Sequence, residues 1–170
     1  MQYAPMLYCT DASSVVVTGP PGAPCEDVAN VIAENCSLPV YNAGEGLCDE
    51  IEADALCLII SAQPEPGYIV AGPIGYEFVR RVPRVISKKD LPEIIIELEA
   101  TDAQIKAKCE ELGLQYSIAK RKSKLNKTLL KEYLLLDGNL PKIWINATSK
   151  SLGQLIGGGP SGTSNNDSST

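Results

Sequence analysis

Apolar residues along this chain fall into short β-branched runs separated by stretches with helical spacing. Val15-Val16-Val17 is an unbroken run that ends in Thr18-Gly19-Pro20-Pro21-Gly22, the pattern of a buried strand entering a tight loop. A helix is predicted next. Pro24 suits a first helical turn, Glu26 and Asp27 suit a helix N-terminus, and Val28, Val31 and Ile32 give an apolar face over 29–35. Leu38-Pro39-Val40-Tyr41 predicts a short second strand. The stretch 47–60 predicts a helix with Leu47, Ile51, Ala55, Leu58 and Ile59 at helical spacing. Pro64-Glu65-Pro66-Gly67 breaks the chain, and Tyr68-Ile69-Val70-Ala71 resumes as a strand that Gly72-Pro73 ends. After a stretch bearing Lys and Arg, 93–98 is an isoleucine-rich strand. The stretch 102–112 is an amphipathic helix with Thr101 as N-cap. A helix over 125–136, a strand at Ile143-Trp144-Ile145-Asn146 and a short helix over 149–156 complete the pattern. Strands alternating with helices predict an α/β fold, a mostly parallel β-sheet flanked by helices on both faces.

This pattern divides the chain into an N-terminal segment (1–14), one core (15–156) and a polar tail (157–170). The tail consists of Gly, Ser, Asn and Asp apart from Pro160 and two threonines, and is expected to be disordered in isolation. No apolar run approaches the roughly 18 residues of a membrane span, so no membrane partner is expected. Residues 1–10 show neither a basic n-region nor a long apolar stretch, which gives a cytosolic expectation.

The six cysteines, at 9, 25, 36, 48, 57 and 109, form no C-x-x-C pair, and the chain has no histidine. Neither a zinc site nor a Ser-His or Cys-His nucleophile is therefore predicted, and the cysteines are expected to be reduced core thiols. Any chemistry would rest on carboxylates, lysines or a bound metal. The net charge of −6 is unevenly distributed: residues 1–100 carry 5 basic against 15 acidic groups, and 101–170 carry 10 against 6. The acidic front argues against nucleic acid as a partner. Lys120, Arg121, Lys122, Lys124 and Lys127 form one dense basic run. It reads either as a solvated helix start or loop, or as an interface for an acidic protein surface or nucleic acid. No aromatic residue is interleaved, so it does not suggest base stacking.

The segment 15–35 resembles the opening of the adenylate kinase family, in which a strand leads into a phosphate loop of the form GPPGAGKGT and then a helix. Gly19-Pro20-Pro21-Gly22-Ala23 matches. Pro24-Cys25-Glu26-Asp27 then stands where the family has Gly-Lys-Gly-Thr. Each departure opposes phosphate binding. Pro24 removes an amide N–H and forbids positive φ, Cys25 replaces the phosphate-neutralising lysine, and Glu26 and Asp27 bring carboxylates to the polyphosphate position.

Further on, 38–47 is similar to the family's second strand and following loop through Gly44, Glu45 and Leu47. The stretch 67–75, GYIVAGPIG, resembles its next strand and loop, with Ala71 in place of an aspartate and Gly75 at the position of the arginine that contacts the monophosphate. Pro92, Ile96, Leu98, Asp102 and Ile105 fit the following strand and helix, and Tyr133, Gly138 and 143–148 fit the last segment. Only about 15 residues separate Leu47 from Pro64, too few for the family's monophosphate-binding arm, and 109–129 contains no S-G-R or R-x-D-D lid motif; a phosphoryl transferase draws its water exclusion and its arginines from these parts.

The resemblance therefore implies a P-loop nucleotide-kinase-like core with a trimmed arm and lid. It implies a catalytically inactive pseudoenzyme with no cofactor, in which nucleotide binding is disfavoured and function runs through protein partners in a larger assembly. Kinase-like domains of this family occur in ciliary and other cytoskeletal assemblies, so the implied location is cytoplasmic, at the cytoskeleton or ciliary axoneme. Two alternatives remain open. One is a divergent nucleoside-monophosphate kinase that uses Lys88, Lys89, Arg80, Arg81 or Arg84 in place of the missing cations. The other is a regulatory module that keeps an adenine pocket.

Overall fold

The computed structural model describes residues 14–42, 46, 50–85, 91–137 and 143–147; the segments 1–13 and 148–170, Lys88, Lys89, Gly138 and the residues 43–45 and 47–49 lie outside them. Five strands, β1 (Val15–Thr18), β2 (Val40–Asn42), β3 (Ile69–Ala71), β4 (Ile94–Leu98) and β5 (Ile143–Ala147), form one parallel sheet in the order β2-β3-β1-β4-β5. Between them run α1 (Cys25–Cys36), α2 (Glu50–Ser61), α3 (Gly75–Val85), α4 (Asp102–Leu112) and α5 (Tyr116–Asp137). The expected α/β architecture is present.

The strand order decides which helix covers which face. From β1 to β2 the chain moves one way across the sheet, and every later connection moves the other way. With a single crossover hand, helices of opposite-going connections must lie on opposite faces. Accordingly Cys25, Val28, Ala29 and Ile32 of α1 pack on Val15, Val17, Ile69, Ala71, Ile94 and Ile96. On the other face, Val16, Val70 and Ile95 meet Ala53, Leu56, Cys57 and Ile60 of α2, Phe78 and Val79 of α3, and Leu130 of α5. The rings of Tyr68 and Phe78 meet edge to face at 5.8 Å there, an arrangement aromatic quadrupoles favour. A satellite cluster of Ile105, Cys109 and Ala119 joins α4 to α5.

Local signals set several element ends. Thr101 and Gln104 close a reciprocal capping box at the start of α4. Gly113 ends that helix at φ 74°, and Ser37 ends α1 at φ 58°, in the left-handed region that terminates helices. Pro24 is the N-cap of α1, outside the first turn in which the sequence pattern puts it.

Three expectations are corrected. In the helix expected over 47–60, described from Glu50 to Ser61 with 47–49 outside the described residues, the packed face is Ala53, Leu56, Cys57 and Ile60, not the Ile51, Ala55, Leu58 and Ile59 stripe. The helix is apolar on both sides. The inward choice takes the side with the small residues Ala53 and Cys57, and Asp54 turns towards Arg81, 2.6 Å away. Secondly, the basic-looking stretch after Gly72-Pro73 is the helix α3. Its first turn sits so close on β1 that a Cβ at Gly75 would lie 2.6 Å from Thr18 Cβ. Thirdly, α5 runs unbroken from Tyr116, so the basic run lies within the helix and not in a loop before it.

Candidate functional site

The loop after β1 lies where the sheet changes direction. The chain leaves β1 towards one face and leaves its neighbour β3 towards the other, so a crevice opens between their carboxyl ends, the place where open α/β sheets bind ligands. A cleft of about 240 Å³ lies there, walled by 22–27 of the loop and α1, by Asn42 at the end of β2, by Gly72 and Pro73 after β3, and by Lys108 of α4. The structure thus brings Gly22, Pro24, Cys25, Glu26 and Asp27 together around one cavity, and Gly19 is not among its walls.

What that loop offers a ligand follows from its backbone. Pro20, Pro21 and Pro24 have no N–H. The amide of Ala23 donates to Pro20 O at 3.0 Å and that of Cys25 to Ala23 O at 2.8 Å, so these two donors are spent inside the loop. The glycines are explained by close packing. A Cβ at Gly19 would stand 2.8 Å from Leu98 O, and Gly22, at φ 99°, would put one 2.6 Å from Gln104 O. Both therefore serve the seating of the loop on the β4–α4 connection.

Side chains complete the picture. Cys25, at the position of the family's lysine, points into the α1 face of the core, and burial pushes its thiol up to about 12, against a smaller lowering by the backbone of Gly72. Such a thiol stays protonated and unreactive at neutral pH. Glu26 and Asp27 are exposed at the mouth. Among the described residues Lys108 is the cation that lines the cleft, and it reaches Glu111 at 3.3 Å. No group of three metal-type ligands lies together among the described residues.

Beneath the loop is a polar cluster, buried except at Asn146, that the sequence pattern does not single out. Thr18 Oγ1 donates to Gly72 O at 2.9 Å and thereby ties the ends of β1 and β3. Tyr76 OH donates to Glu97 Oε2 at 3.0 Å, and Asn146 Nδ2 donates to Oε1 of the same carboxylate at 3.3 Å. Burial, then the charge of Glu97, pushes the Tyr76 phenol far above its ordinary value. The cluster joins α3, β4 and β5 across the top of the sheet. A signal for it was present, the single acid inside the buried run Ile94-Ile95-Ile96-Glu97-Leu98: a buried carboxylate requires donors.

The remaining candidate residues are scattered. Lys120 pairs with Asp102 at 3.2 Å and lies 5.7 Å from the Tyr116 ring centroid, and Lys127 is 3.6 Å from Glu99. Arg121 and Lys124 are exposed and Lys122 half-buried, so the run is spread around α5 and is not a single patch. Of the cations invoked for a divergent kinase, Arg80 chelates Glu77 at 2.8 Å and Arg81 binds Asp54, away from the cleft walls; Lys88, Lys89 and the Arg84 side chain lie outside the described residues. Gly75 is fixed by its contact with β1.

No protein-family model and no curated protein matches the sequence. Among solved structures, the chain is similar to the crystal structure of an uncharacterized protein from Eubacterium ventriosum ATCC 27560, at a TM-score of 0.41 and 13% identity over 81% of this chain and 90% of that one. A likeness at that level assigns neither a family nor an activity. Among the described residues no helix is long and apolar enough to cross a membrane.

Proposed function

We propose that this chain is a nucleotide-kinase-like domain that transfers no phosphate and works through contacts with other proteins. The observation that carries the reading is the loop after β1. It occupies the ligand crevice of the sheet, yet its proline-rich backbone is bonded to itself and packed on α4, and its charge at the mouth is acidic. Phosphoryl transfer needs amide donors and cations converging on the phosphates, and here they do not converge. The connection from α4 to α5 supports the same reading. It is Gly113-Leu114-Gln115, three residues that carry no lid. Membership of a larger cytoplasmic or cytoskeletal assembly belongs to this proposal and rests on the resemblance alone.

The test is a coupled assay for ADP formed from ATP and AMP with magnesium, on purified full chain. The reading predicts no turnover above the protein-free control. Turnover that disappears when Pro24 or Gly22 is changed would overturn it.

A further inference from the structure

A second cavity, of about 420 Å³, opens where α2, α3 and α5 meet, and among the described residues Glu50, Arg80, Arg81 and Tyr133 line it. It shares no described residue with the cleft after β1. Its volume lies within the range of about 300–1,000 Å³ usual for small-molecule sites, whereas the cleft falls below that range.

Arg80 is held at this cavity by a buried acid. The Glu77 side chain is only 8% exposed, and both of its oxygens accept from Arg80 Nη2 at 2.8 Å. A carboxylate at that depth is costly without its cation, so the pair fixes the guanidinium in place. The pairing uses one guanidinium nitrogen. Arg80 Nε and Nη1 meet no acceptor among the described residues, and the side chain is 27% exposed. Arg81 spends Nε and Nη2 on Asp54, at 2.6 and 3.2 Å, while its Nη1 stands 3.6 Å from Glu50, whose side chain is 66% exposed. That distance is too long for a hydrogen bond, and exposed ion pairs of this kind hold weakly. Two guanidiniums lining one cavity therefore keep N–H donors for a further acceptor.

We propose that this cavity binds a small carboxylic acid, whose carboxylate takes the remaining donors of Arg80 and Arg81 and whose body lies beside Tyr133. Charge decides the class of ligand. Glu77 and Asp54 already balance the two arginines, and Glu50 adds a further negative charge at the cavity. A multiply charged anion such as a phosphate would be repelled there. A single carboxylate still makes charge-assisted hydrogen bonds, and it displaces only the exposed Glu50. The cavity is separate from the loop after β1, so this inference stands whether or not that loop holds nucleotide.

Titration of the full chain with acetate, benzoate and inorganic phosphate at constant ionic strength tests it, followed through the arginine Nε–H signals in proton–nitrogen correlation spectra. Acetate or benzoate is expected to shift the Arg80 and Arg81 signals saturably, and phosphate to bind about tenfold more weakly or not at all. Two variants, each checked for an unchanged melting temperature, sharpen the result. Arg80→Lys keeps a cation for Glu77 but removes the free donors, and should weaken carboxylate binding about tenfold as read at Arg81. Glu50→Gln, at an exposed position, removes the competing acid and should tighten it about threefold. No saturable shift with either carboxylate, unchanged binding in Arg80→Lys, or binding that does not tighten in Glu50→Gln would each overturn the proposal. Phosphate binding as tight as that of the carboxylates would overturn the assignment of ligand class.

Discussion

The loop after β1 and the outer face of α2 exchange the roles their sequences suggest. GPPGA is the pattern of a ligand loop, and in the structure it is a packed connection whose glycines meet Leu98 and Gln104. The Ile51, Ala55, Leu58 and Ile59 stripe has the spacing of a core face, and it lies open. A motif states which residues can approach one another, whereas burial and hydrogen bonding decide whether the approach serves a ligand or the fold. Similarly, helical periodicity states that a face exists without stating what covers it.

The sharpest way to break that contrast is to repair the loop. Cys25→Lys installs the lysine of the phosphate loop that this segment resembles, but the side chain at this position is directed into the core beside Val28 and Ile32. The expected result is a loss of about 3–5 kcal/mol of stability by urea unfolding, the cost of an unpaired buried charge. Gly22→Ala comes next. At φ 99° and 2.6 Å from Gln104 O it should cost about 2–3 kcal/mol by the same measurement, from backbone strain and overpacking together.

The buried thiols give a pH dependence of definite sign. Cys25 is raised from 9.0 to about 12, and Cys57 from 9.0 to about 11, by burial and then by the charge of Asp54, partly offset by Arg81. Because the folded pKa lies above the unfolded one, the stability these groups contribute is fully present below pH 9 and is lost as pH rises from 9 through 12. Unfolding followed across that range should show the decline, and Cys25→Ala should flatten it.

Smaller effects sharpen the comparison. Thr101→Ala removes the capping box that steadies the first turn of α4, against which Gly22 packs, and should cost about 1 kcal/mol in thermal or chemical unfolding. Least of all, Leu58→Ser and Leu125→Ser should change stability by no more than about 0.5 kcal/mol, as solvent-facing substitutions do. A loss of several kcal/mol at Leu58 would mean that the stripe is core after all.

Much of the fold was legible. The valine run, the Tyr68-Ile69-Val70-Ala71 strand, the isoleucine strand and the Thr101 cap all stand where the pattern puts them, because buried parallel strands need continuous β-branched runs and caps act locally. Helix α3 was not legible. Its amphipathic pattern is strong, but Gly72-Pro73 before it and Pro83 within it read as breakers, and its place is fixed by a close approach to β1 that only the three-dimensional structure reveals. The face of α2 was ambiguous because both of its sides are apolar. At the candidate site the loop's residues were legible, as were Cys25, Glu26 and Asp27 as groups that oppose phosphate. The inward hydrogen bonds of Ala23 and Cys25, and the Tyr76-Glu97-Asn146 cluster beneath them, depend on partners distant in sequence or on backbone geometry, which no spacing rule encodes.

The central claim is that the loop after β1 is closed to nucleotide, and thermal unfolding of the full chain with and without millimolar ATP, AMP and magnesium tests it most directly, since a ligand stabilises only the state it binds. The account predicts superimposable melting curves under all conditions. A clear rise in melting temperature with ATP, lost on changing Gly22 or Pro24, would contradict it and return the cleft to the nucleotide-binding sites.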